Sequence, residues 1–172
     1  MDSLRSLKRK MSNSFDSLEN YTTVTKKSKT EVKFPKLYRL LGEKEDITKG
    51  LKAKDPNATI SVVEHVACGS KGGRSRYIST CSNLFSVKMF RELKLKSRVH
   101  KNGTKQIVEI DVTKLTSDVR IIDLTTQKLR EQHEGNEKRS SLIYKFHKHA
   151  AEFNEVLLEG TVPSHCLRLL KY

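Results

Sequence analysis

Residues Phe90–Val112 read FRELKLKSRVHKNGTKQIVEIDV, and the fold turns on how that stretch is read. Two alternating runs flank Asn102-Gly103, the dipeptide best suited to a type I′ turn, whose central residues both need φ > 0. With that pair as the loop, Leu95 faces Ile110, Leu93 faces Val112 and Ser97 faces Val108 on one side of a ladder. On the other side Lys96 meets Glu109 and Lys94 meets Asp111, so opposite charges lie directly across from one another. A slip of one residue would mix aliphatic with charged positions and lose both patterns. The stretch therefore predicts a central hairpin over about 90–112, with Leu93, Leu95, Val108, Ile110 and Val112 against a core.

Downstream, Glu137–Glu159 places Leu142, Ile143, Phe146, Ala150, Phe153 and Leu157 on one helical face. This predicts an amphipathic helix over about 137–159, with Gly160 as its C-cap and Pro163 as a stop. Thr125–Glu134 is a shorter helical stretch, ended at Gly135-Asn136. Upstream, Thr59–Cys68 carries Ile60, Val62, Val63 and Val66 and reads as a strand. Tyr77–Thr80 and Asp118–Leu124 read as further strands, and Val32–Leu41 as a short strand or helix broken at Gly42. Strands followed by helices define an α+β fold class: a small antiparallel sheet with a central hairpin, packed by a C-terminal amphipathic helix.

Residues 1–33 have a different texture and read as a flexible basic N-terminal tail, ahead of a single α+β domain at 34–172. Leu4, Leu7, Met11, Phe15 and Leu18 recur at helical spacing, flanked by Arg5, Lys8, Arg9 and Lys10. A basic amphipathic helix of this kind suits an anionic membrane surface or a partner groove. Lys8-Arg9-Lys10, with Lys26, Lys27 and Lys29 after a spacer, resembles a bipartite nuclear import signal.

Charge is the most concentrated feature. The 172 residues hold 34 Lys and Arg against 20 Asp and Glu, a net charge of +14 that favours polyanionic partners. Between Gly69 and Lys105 there are ten basic residues and a single acid, Glu92. The glycine-rich loop at Gly69–Arg76 offers Lys71, Arg74 and Arg76, and the turn end of the hairpin offers Arg98, Lys101 and Lys105. These six are the expected nucleic-acid or anion-binding set, through salt-dependent phosphate contacts. No Gly-Lys-Ser/Thr follows the loop at P-loop spacing, which argues against an NTPase. Aromatics are too sparse for base stacking along a single strand.

The sequence presents no catalytic constellation. His65, Cys68, Cys81 and the remote His165-Cys166 lack the tight pairs of a structural zinc site, so neither metal nor other cofactor is expected. Three cysteines at irregular spacing point to a reducing compartment, cytoplasmic or nuclear rather than secreted. No apolar run reaches the ~18 residues of a membrane-spanning helix, although peripheral membrane or virion association fits the tail. The expectation is a non-enzymatic basic structural or binding protein that contacts nucleic acid or nucleoprotein and anionic membranes, with self-association. Its organisation resembles small viral matrix or nucleocapsid-associated proteins. The alternative is a nuclear nucleic-acid-binding regulator of winged-helix type, with Asn83–Lys94 as recognition helix and the hairpin as wing.

Overall fold

The computed structural model describes residues 32–69, 73–96 and 106–171. In chain order the elements are β1 (Lys36–Leu40), β2 (Leu51–Lys52), α1 (Val62–Cys68), β3 (Tyr77–Cys81), α2 (Leu84–Lys96) and β4 (Ile107–Asp111). They continue with β5 (Arg120–Asp123), α3 (Gln127–Glu131), α4 (Ser140–Glu152), β6 (Glu155–Glu159), β7 (Thr161–Val162) and β8 (Leu167–Leu170). Six strands form one sheet in the order β5-β6-β3-β1-β4-β8, with antiparallel neighbours throughout, and β2 pairs with β7 separately. The expected mixture of helices with a small antiparallel sheet is what the chain adopts.

The expected hairpin is not. Only its second half is a strand, and its first half belongs to α2, which runs unbroken through Lys96. The residues around Asn102-Gly103 lie outside the described residues. Asn83 explains where the helix starts, because its Oδ1 accepts from the Ser86 backbone N–H at 2.9 Å. Val87 is fully buried one turn further on, whereas Leu93 is exposed and Lys94 lies over the Phe90 ring at helical i,i+4 spacing. The charge pairs of the expected register are replaced as well: Glu109 pairs with Lys36 and Arg168, and Asp111 with Lys114. Replacing the cap by Asn83→Ala is expected to cost about 1 kcal/mol. A urea titration of the variant checks this, with a shifted midpoint and an unchanged slope.

Two further segments depart from expectation. Thr59–Cys68 is not a strand but leads into α1, because Ser61 caps the helix by accepting from the Glu64 N–H and Val62, Val63, Val66 and Ala67 fall on one buried face. The helix expected over 137–159 stops at Glu152, since Asn154 turns the chain with φ 47° and residues 155–159 become β6. That strand lies between β5 and β3, and its residues Glu155–Leu158 are all buried, so sheet pairing on both edges overrides the helical spacing. Gly160 accordingly sits in the β6–β7 turn with φ 121°, and not at a helix end.

One face of the sheet packs on α1 and α4 through Tyr77, Ile122, Leu157, Phe146 and Ala150, and on α2 through Cys81, Val87 and Ile107. The other face carries Leu37, Ile78, Val108, Ile110, Val156 and Leu158, covered by Leu51 of β2 and Val162 of β7. Gly50 at the start of β2 has φ 76°, and a Cβ there would lie 2.4 Å from the Val162 carbonyl oxygen, so the small sheet needs glycine at that point.

Candidate active site where β1 and β3 part

All five residues of β3 pair with β6, but β3 pairs with β1 only at Tyr38↔Cys81. Beyond that pair the ladder stops, and a side chain takes over. Arg39 Nη1 donates to the Ser79 carbonyl oxygen at 2.6 Å, satisfying an acceptor that β1 leaves unpaired. The rest of the guanidinium grips Glu45, with Nη2 to Oε1 at 2.7 Å and Nε to Oε2 at 3.2 Å.

α1 brings His65 to the same place. Its Nδ1 lies 2.7 Å from Ser75 Oγ and its Nε2 lies 2.9 Å from Ser79 Oγ, while the ring tilts against Tyr77 at 5.4 Å. Burial, with the charges of Arg39 and Lys54, pushes the imidazole down to about 4, so it is neutral at physiological pH. β6 contributes Glu155, which is 8% exposed and stands opposite Cys81 in the β3–β6 register. Burial pushes its carboxyl up to about 7, against the opposing pull of a hydrogen bond from Ser79 and the charge of Arg39. The Cys81 thiol, pushed up to about 12 by burial and by Glu155, is no nucleophile.

An ionised Glu155 can only accept, and this fixes the direction of the network. Ser79 O–H donates to Glu155, His65 Nε2–H donates to Ser79 Oγ, and Ser75 O–H donates to His65 Nδ1. The fold thus gathers Arg39, His65, Ser79 and Glu155 from four separate elements around one carboxyl poised near neutrality. No two of these residues were linked by sequence. The available signals were a Ser61-x-x-Glu64 capping pattern that marks α1 and a lone acid, Glu155, heading the buried run Val156-Leu157-Leu158.

Of the six cations expected to bind anions, the structure places two. Arg74 is exposed, whereas Arg76 pairs with Glu159 at 3.1 Å and lies over the Tyr77 ring. Lys71, Arg98, Lys101 and Lys105 lie outside the described residues, as do Arg5, Lys8, Arg9, Lys10, Lys26, Lys27 and Lys29 of the tail. Among the described residues no group of three or more His, Cys, Asp or Glu is placed to hold a metal. No helix among them is long and apolar enough to cross a membrane.

No protein-family model and no curated protein matches the sequence. Among solved structures the chain is similar to one named EcPltA, at 12% identity and a TM-score of 0.50, over 81% of this chain and 78% of that chain. The likeness is one of fold: a mixed helix and sheet architecture in which this chain places the cluster described above.

Proposed function

We propose that this chain is an enzyme that transfers or hydrolyses a glycosyl group from an activated, phosphate-bearing donor, with Glu155 as its catalytic carboxylate. The observation that carries the reading is the buried Glu155 carboxyl, held between Ser79 and the charge of Arg39, while the cluster's other described carboxyl, Glu45, is tied up on Arg39. Cleaving an unactivated glycosidic bond calls for two carboxyl groups, one of them an acid for the leaving group. A donor whose leaving group departs unaided, as a phosphate or a cationic heteroaromatic base does, needs only one. The bond from the sugar carbon to the leaving group breaks with both electrons on the leaving group. The positive charge that develops on the sugar is met by ionised Glu155. The acceptor oxygen then bonds to the carbon, and its proton passes to Glu155 and on to solvent. Arg39 supplies positive charge for the donor's phosphate, and the net +14 draws such anions in.

Ser79 and His65 lie within hydrogen-bond reach and invite a different reading, as nucleophile and base. Two features weigh against it. The imidazole is held down to about 4, and its far nitrogen meets the Ser75 hydroxyl where an orienting carboxylate would be needed.

The test incubates the full chain with nicotinamide dinucleotides, nucleotide sugars and phosphoribosyl pyrophosphate in turn, and follows leaving-group release by liquid chromatography. Consumption of one donor class is expected. If no donor is consumed between pH 6 and 9 while the protein does bind RNA or DNA, the reading is overturned in favour of a binding protein.

A further inference from the structure

We infer that Glu45 is an internal stand-in for the donor's anion: it occupies the Arg39 fork in the resting protein and must leave before a phosphate can dock. This inference rests on the proposed function, since it names what keeps that site closed. Three of Arg39's five N–H groups are engaged: Nε and Nη2 hold the two Glu45 oxygens, which fills the side-on fork, and Nη1 holds the Ser79 carbonyl. A planar guanidinium binds a carboxylate and a phosphate through the same pair of parallel N–H bonds, so the two compete for one face.

The position of Glu45 suits displacement. It lies on a short turn, where its N–H donates to the Gly42 carbonyl oxygen at 2.9 Å and its Oε2 accepts from the Gly42 N–H at 2.5 Å. No strand or α-helix holds it, and the turn residues Glu43 and Lys44 beside it are exposed. Lys54 is exposed, and its charge already acts on Glu45, so it gives the released carboxylate a second cation. Donor binding therefore exchanges one ion pair for two: phosphate on Arg39 and Glu45 on Lys54.

Calorimetric titration of the full chain with inorganic pyrophosphate at low salt tests this without requiring turnover. Glu45→Gln is expected to bind roughly tenfold more tightly than the parent. Glu45→Asp keeps the charge but shortens the reach, so it is expected to tighten binding as well. It also decides the matter if Glu45→Gln does not fold. Glu43→Gln removes a neighbouring charge and is expected to change little, and adding Arg39→Ala to Glu45→Gln is expected to abolish the gain. Unchanged or weaker binding by both Glu45 variants overturns the inference, and so does an equal gain from Glu43→Gln. A gain in affinity together with inertness toward every donor would instead count against the proposed reaction alone.

Discussion

Glu155→Gln is expected to abolish turnover and, at alkaline pH, to raise the melting temperature. Loss of the one carboxylate that meets the developing charge should lower the rate by at least about 10³-fold. The stability effect follows from linkage. The carboxyl titrates near 4.5 in the unfolded chain and about 7 in the folded one, so across that window the folded state binds more protons. Stability contributed by this residue therefore falls as pH rises from about 4.5 to about 7 and stays low beyond. The loss amounts to about 3 kcal/mol at most. Glutamine keeps the shape and an oxygen that can accept from Ser79, but it carries no charge to bury. At pH 8 the variant should melt roughly 5–10 °C higher, and at pH 4.5 the two proteins should melt together. Equal melting at pH 8 would show that no ionised carboxylate is buried there.

His65→Gln is expected to uncover the opposite half of the same balance. The imidazole titrates near 6.5 unfolded and about 4 folded, so here the unfolded state binds more protons between those values. Its contribution is fully present above about pH 6.5 and is lost as pH falls toward 4. Between about 4.5 and 6.5 the two residues act with opposite sign, and their slopes offset in the parent protein. Each single variant should expose the slope of the other. Glu155→Gln should lose stability on acidification below 6.5, and His65→Gln should lose it on alkalinisation toward 7. Urea unfolding at four pH values, with the double variant as the reference for all other groups, measures both. Turnover by His65→Gln should fall about 10²-fold, because the Ser79 hydroxyl loses the donor that aims it at Glu155. Parallel pH profiles for the parent and both single variants would remove this coupling from the account.

The sequence carried the class of fold and much of its sheet. Tyr77–Cys81, Ile107–Asp111 and Arg120–Asp123 are strands because β-branched and aliphatic residues cluster there between turn signals. It misled where two periods overlapped. Leu93 and Leu95 alternate like a strand, yet Leu84, Val87 and Phe90 upstream set a helical phase that carries through them. At the other end Leu157 kept step with Phe146 and Phe153, and only pairing with neighbours distant in sequence turned it into a strand residue. The site was illegible for a different reason. Arg39, His65, Ser79 and Glu155 share no local spacing, and neutral His65 and half-titrated Glu155 are products of burial, which no residue displays by itself. The basic residues were legible as a count but not as free charge, since Arg76, Lys36 and Arg168 are each paired with a carboxylate.

The single registered pair between β1 and β3 makes the sheet two three-stranded ribbons joined by one stitch. β5-β6-β3 lies on one side and β1-β4-β8 on the other. Across the seam it is the side chain of Arg39, and not a backbone ladder, that ties the Ser79 carbonyl to the facing ribbon. Chemistry and cohesion thus draw on the same atoms. A substitution that retunes the reaction at Arg39 also loosens the join between the halves, so a new specificity has to be accompanied by a new way of keeping the seam shut.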